Sequence, residues 1–313
     1  MLGRQARWQD LAATPLHLLI RRVGWQDHFE MLSLVEVLLR RSLGQPLSVR
    51  AWDRMTYSDK IVYQRLLNRD PQLAVFCDKL EMRELVMKRL GPDAVPQLLR
   101  VGASAAQISD LAGPYVLKAN HGCGWVMLVE ADGLTEEQAT TADAWLRKNY
   151  AYRCLERGYL GARPLLLAEE RLPGGATYTV PPDYRLYTFG GKVVRIAVEV
   201  SRFQGDRTRI ARFNPDWTPD LARADEEAPE EPVPAPPNLA TMLEWAAVLA
   251  KGIDFVRVDL YDLGDRVLVG ELTPYPGAGM GRIRPRGIDV AWGRLWRSPP
   301  QASQALASSR SLR

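Results

Sequence analysis

The order of its periodicities predicts an α+β fold with a helical N-terminal region. Three observations carry that prediction. Apolar residues recur at helical spacing through roughly the first 90 positions, and from about residue 95 strand-like runs alternate with helices. Two later stretches then read as hairpins, one around Gly190-Gly191 and one around Gly264-Asp265.

Element by element, "HFEMLSLVEVLLRRSL", "SDKIVYQRLLNRD" and "FCDKLEMRELVMKRLG" each read as a helix, their charged residues forming solvated faces. Gly91 followed by Pro92 stops the last of them. "PYVLKAN" and "WVMLVEA" read as short strands. "TEEQATTADAWLRKNYAYRCLE" reads as one helix, capped by Thr135 and carrying acids in its first turn. "RPLLLAEERL" is a buried strand and "DYRLYTFGGKVVRIAVEV" the first hairpin. The acidic, proline-rich residues 218–237 read as a loop. "NLATMLEWAAVLAKG" is a helix opened by Asn238 and closed by Gly252, "DFVRVDLYDLGDRVLVGELT" is the second hairpin, and the last residues, 298–313, read as a disordered tail.

Bulk properties narrow the function. The 313 residues are 46% hydrophobic and 25% charged, which is ordinary globular composition with enough chain for a sizeable core. A formal charge of +4 and a pI near 9.0 suit anionic substrates, and the dispersed basic residues do not call for nucleic acid. Cys77, Cys123 and Cys154 are odd in number and show no CxxC spacing, so neither a zinc site nor a disulfide framework is expected. The N-terminus has no signal-type apolar run, and no stretch reaches the ~18 apolar residues that span a bilayer. A cytoplasmic protein is the expectation.

Four stretches could carry chemistry. In "VLKANHGCGWVML", Lys118 ends a strand and two glycines follow. It is either an ordinary turn with a surface lysine or a cradle in which lysine and backbone N–H groups hold phosphate. In the second hairpin Arg257, Asp259 and Tyr261 share one strand face, and Val267, Val269, Glu271 and Thr273 share one face of the partner strand. A two-residue turn puts Asp259 across from Gly270, whereas a three-residue loop puts it opposite Glu271 and Arg257 opposite Thr273. In the second register two carboxylates meet at ~4.5–5.5 Å between Cβ atoms, which is unfavourable unless a cation such as Mg2+ lies between them. The opposite face, Val256, Val258, Leu260, Leu268 and Leu272, is apolar. "TPYPGAGMGRIRPR" is an irregular loop with Arg282, Arg284 and Arg286, either an anion cradle or a disordered basic loop. "LLLAEERL" is a plain strand end, or a hinge whose backbone reads an adenine ring.

Taken in order, these pieces resemble an ATP-grasp enzyme and, more narrowly, the TupA-like ATP-grasp family, associated with teichuronopeptide and other cell-surface polysaccharide synthesis. The resemblance rests on "DKLEMRELVMKRLG", "YVLKANHGCGW", "LLAEERL", "DYRLYTFGGKVV", "FVRVDLY" and "GELTPYPGAGM", spread over residues 50–285. It implies an ATP-grasp fold with a helical region over 1–94, a small subdomain with the glycine loop over 95–175 and a central subdomain with the metal site over 176–297. It implies ATP and Mg2+ as cofactors. Lys118 would contact the phosphates, and Asn120, His121, Gly122 and Gly124 would belong to the loop closing over them. Glu169, Glu170 and Leu172 would form the adenine hinge, with Asp183 facing the nucleotide. Arg185 and Arg257 would lie beside the reacting phosphate, and Asp259, Glu271 and Thr273 would hold the metal. The reaction implied is carboxylate–amine ligation through an acylphosphate, on small-molecule substrates such as a polysaccharide precursor, an amino acid or a small peptide. A glycosyltransferase-like enzyme and a non-catalytic ATP-binding module are the alternatives. The chain departs from the family pattern twice: Thr273 stands where Glu-x-Asn is common, and Cys123 where a serine is expected.

Overall fold

The computed structural model describes residues 49–174, 179–200, 209–220, 229, 232–280 and 283–297. The expected helix over 28–43, the tail 298–313, Arg282 and much of the 218–237 loop lie outside the described residues. The described part of that loop holds no helix or strand, apart from a bridge between Phe213 and Pro219.

The N-terminal part is a run of short helices: α1 (Val49–Arg54), α2 (Tyr57–Leu67), α3 (Pro71–Cys77) and α4 (Lys79–Leu90). Thr56 and Asp59 form a capping box at the start of α2. The single helix expected across 76–91 is broken at Asp78, whose carboxylate accepts the Leu80 and Glu81 N–H groups and so starts a new helix. Gly91 ends α4 with φ +99, as its sequence context predicts. A second expected helix is also two: α5 (Glu136–Leu146), opened by the Thr135–Gln138 capping box, and the one-turn α6 (Ala151–Cys154). Asn149 Oδ1 accepts the Ala151 N–H at 3.0 Å and restarts the chain there.

Two antiparallel sheets follow. The smaller has the order β1-β4-β2-β3, built from β1 (Leu98–Gly102), β2 (Tyr115–Ala119), β3 (Val126–Val129) and β4 (Leu166–Glu170). The larger has the order β7-β6-β5-β8-β9, built from β5 (Asp183–Phe189), β6 (Lys192–Val200), β7 (Arg209–Phe213), β8 (Phe255–Asp262) and β9 (Val267–Thr273). The edge strands β1 and β7 have no counterpart among the sequence expectations. Nor does α8 (Arg286–Leu295), which begins at the last residue of the expected basic loop.

Each sheet packs one apolar face into a core. Tyr115, Leu117, Leu166, Ala168 and Val129 join Ala142 of α5 in a small core. Tyr184, Leu186, Ile196, Val198, Val256, Val258 and Leu260 pack with Met242, Ala246 and Leu249 of α7 (Leu239–Leu249) in the large one. The other face of the large sheet is divided. Its far end is aromatic, Phe189 and Phe255 meeting Tyr57 of α2 and Trp292 of α8 at centroid distances of 5.1–5.9 Å. Its near end is charged and faces the small sheet.

The β8–β9 hairpin corrects one expectation in its cause and supports it in its consequence. The turn is the two-residue one: Leu263 N–H donates to Arg266 O, and Asp262 pairs with Val267, Tyr261 with Leu268 and Leu260 with Val269. A bulge at Gly270 then shifts the register, so that Asp259 pairs with Glu271 and Arg257 with Thr273. The bulge also reverses the first half of β9. Val267 and Val269 join the large core, and Leu268 pairs with Tyr261 on the other side, opposite to the alternation read from sequence.

Candidate functional site

A cleft with ≈ 940 Å³ of empty space, open mouth included, lies between the charged face of the large sheet and the outer face of the small one. On the small-sheet wall, alternation along β2 buries Tyr115, Leu117 and Ala119 and leaves Val116 and Lys118 toward the cleft. Lys118 Nζ lies 2.6 Å from Glu169 Oε2, and Arg83 Nη1 lies 3.0 Å from Glu169 Oε1. Burial pushes the Glu169 carboxyl up, but Lys118 and Arg83 outweigh it and hold it below the usual carboxylate range.

The glycine loop joins β2 to β3, closed by a 2.9 Å bond from Ala119 N–H to Trp125 O. Gly122, Cys123 and Gly124 line the cleft. Gly124 has φ +72, and a Cβ on Gly122 would stand 2.3 Å from the Trp125 ring, so both glycines are demanded by the loop's own shape. Asn120 and His121 do not line the cleft. Asn120 Oδ1 accepts the Leu80 N–H at 2.9 Å, and its Nδ2 donates to Arg163 O at 3.0 Å. His121 Nε2 lies 3.1 Å from both Trp145 O and Lys148 O, so it carries the proton, and burial lowers the ring's pKa. These two residues are the loop's foundation. Lys79, unforeseen from sequence, stands in the cleft at the first turn of α4, its Nζ donating to Gly122 O. Its position directly after the Asp78 cap was the available signal.

Leu172, Pro96 and Val180 make one end of the cleft apolar. Glu170 also lines it, with Oε1 accepting the Gln97 N–H at 2.8 Å and Oε2 lying 3.3 Å from Arg266 Nη2, from the β8–β9 turn.

On the large-sheet wall the strand registers lay side chains in rows. Arg185, Asp259 and Glu271 are neighbours across β5, β8 and β9, and Tyr187, Arg257 and Thr273 form the next row. Asp183, Asp259 and Glu271 line the cleft, whereas Arg185, Arg257 and Thr273 stand beside or behind them on the same face. Arg257 grips Asp259 with two of its nitrogens, Nε to Oδ1 at 2.7 Å and Nη2 to Oδ2 at 2.5 Å. Thr273 Oγ1 donates to Asp259 Oδ2 at 3.3 Å and accepts from Arg257 Nη2 at 3.2 Å. Burial, abetted by the Asp183 charge, raises Asp259 to about 6 against the pull of Arg257. Arg185 bridges Asp183, at 3.0 Å, and Glu199 of β6. Glu199 was also unforeseen, although an acid inside the otherwise apolar "RIAVEV" was its signal.

The donor set suits a phosphate-bound Mg2+ better than a cage made by protein alone. Among the described residues no three His, Cys, Asp or Glu side chains gather as a metal site. The Glu271 carboxylate makes no hydrogen bond among the described residues, and Glu271 is the cross-strand partner of Asp259. Two carboxylates that leave the remaining positions to phosphate and water are what Mg2+ accepts.

The family model described as TupA-like ATPgrasp matches residues 59–296. No curated protein matches. Among solved structures, the chain is similar to the ATP-grasp ligase PsnB complexed with minimal precursor, at 12% identity and a TM-score of 0.37. That match covers 66% of this chain and spans only 56% of that one. It is similar to D-alanine--D-alanine ligase from Bacillus anthracis at 15% identity and TM-score 0.44, covering 83% of this chain and 79% of that one. It is also similar to a RimK domain ATP-grasp protein from Sphaerobacter thermophilus DSM 20745 at 18% identity and TM-score 0.37, covering 71% and 67%. Among the described residues no helix is long and apolar enough to cross a membrane.

Proposed function

Because the chain belongs to the TupA-like ATPgrasp family, we propose that it is an ATP-dependent ligase joining a carboxylate to an amine, with ADP and phosphate as products. The observation that carries the reading is the opposition of charges across one cleft. Lys79 and Lys118 stand on one wall, and Asp259 and Glu271 on the other. A nucleoside triphosphate fits that arrangement: its purine in the apolar end near Leu172 and Val180, its phosphates between the lysines and the acids.

Asp259 and Glu271 would hold Mg2+, which when bound neutralises phosphate charge. A substrate carboxylate oxygen then attacks the γ-phosphorus, the bond to the β-phosphate oxygen breaks, and ADP leaves. The amine nitrogen next attacks the acyl carbon, the carbon–oxygen bond to phosphate breaks, and the amine loses a proton as the amide forms. This chain's residues orient and stabilise charge rather than act as nucleophiles. Arg257 and Arg185, fixed by their acids, present positive charge beside the metal row. The acceptors we propose are a cell-surface polysaccharide precursor, an amino acid or a small peptide.

The test is product analysis on a panel of acids and amines with ATP·Mg. ADP and phosphate are expected, and AMP with pyrophosphate would overturn the reading. Glu271→Gln is expected to abolish turnover while leaving the melting temperature within a few degrees of the parent's. Full activity in that variant would remove Glu271 from the site.

A further inference from the structure

We propose that Arg83 is a positioning residue for Lys118, acting through Glu169. The buried relay Arg83–Glu169–Lys118 sets how strongly the cleft's lysine holds nucleotide phosphate. The proposal rests on the nucleotide reading of the cleft.

Arg83 lies in the middle of α4 and is absent from the cleft wall, so it has no route to a ligand. Its guanidinium is fixed in two directions. Nη1 lies 3.0 Å from Glu169 Oε1, and Nη2 donates to Pro96 O at 2.7 Å. Glu169 in turn spends one oxygen on each base, Oε1 on Arg83 and Oε2 on Lys118 at 2.6 Å. The Arg83 and Glu169 side chains are 8% and 6% exposed, so water and salt screen their interaction weakly. Lys118, at 18%, is the member that reaches the cleft.

Charge counting gives the consequence. A lone Glu169 would match Lys118 one to one and cancel most of its pull on an anion. Arg83 takes a share of that acid. Lys118 then keeps a fixed anchor for its position, while part of the Glu169 charge is answered by Arg83 instead of by the lysine. A purely structural staple between α4 and β4 would need no lysine on the far oxygen. Lys118 on that oxygen is what extends the pair into a relay.

The experiment measures AMP-PNP·Mg affinity of the full chain by isothermal titration, with the parent, Arg83→Met, Arg83→Lys, Lys118→Met and the Arg83→Met/Lys118→Met double variant. Arg83→Met is expected to weaken binding about tenfold, the scale of one charge-assisted contact. Arg83→Lys, which keeps the charge, should recover most of that loss. In the Lys118→Met background Arg83→Met should change affinity less than about twofold, because the effect travels through Lys118. An equal loss in both backgrounds, or no loss in either, overturns the relay. Should Arg83→Met fail to fold, Glu169→Asp replaces it in the same cycle. It shortens the bridge while keeping its charge, and the same silence in the Lys118→Met background is expected. No AMP-PNP binding by the unaltered chain would instead overturn the nucleotide reading, and this proposal with it.

Discussion

Glu156 shows how far a single buried acid can depart from its ordinary chemistry. It is 6% exposed, and burial raises its carboxyl to about 7, Arg65 opposing and the Glu271 charge adding to the rise. Arg65 spends Nη1 on Cys154 O at 2.6 Å, while its buried Nε and Nη2 find no hydrogen-bond partner among the described residues. The folded acid holds its proton in a range where the unfolded one, near 4.5, has lost it. Rising pH therefore favours unfolding from about 4.5 to about 7, and the effect levels off above that. Glu156→Gln is expected to flatten the fall of melting temperature across this window in a thermal scan at several pH values. Parallel slopes in parent and variant would show that another group titrates there. Residue positions were legible in the sequence where a period-2 strand places them, as with Lys118, Asp259 and Glu271, which all line the cleft. They were illegible where a side chain turns inward. Nothing local in "ANHGCG" shows that Asn120 and His121 would meet Leu80, Arg163, Trp145 and Lys148.

At the scale of elements, the β8–β9 hairpin holds Asp259 and Glu271 side by side by means of one extra residue. Gly270 is the bulge, and a Cβ there would stand 2.8 Å from the Tyr261 ring. Gly270→Ala should therefore cost about 1–3 kcal/mol of stability, the range for overpacking. It should lower turnover beyond what that loss explains, because the Asp259–Glu271 pairing depends on the bulge. Unfolding curves alongside kcat separate the two effects, and a destabilised variant with parental kcat would detach the bulge from the site. Helix breaks belong to this scale as well. The apolar pattern runs through Asp78, but its carboxylate serves as a cap and also meets Arg163 N–H at 3.1 Å, a partner 85 residues away.

For the whole molecule, the cleft is the junction of two sheets with separate cores. A ligand that touches both walls stabilises their association as well as its own contacts. AMP-PNP·Mg at about a hundred times its dissociation constant should add about 2.7 kcal/mol to unfolding stability. A rise in melting temperature with AMP-PNP·Mg, absent with UDP-sugars, is the expected result, and the reverse pattern would favour a sugar-nucleotide enzyme. By itself the sequence determined the α+β class, most strands, both glycine turns and the ordered motifs of an ATP-grasp chain. These follow from periodicity and from backbone demands within a few neighbouring residues. Only the tertiary structure decided that a bulge rather than a longer turn aligns Asp259 with Glu271, that Lys79 shares the cleft with Lys118, and that Arg83 stands behind Glu169. Each of these depends on packing between segments distant in the chain, and burial and pairing across such contacts leave no periodic trace in the sequence.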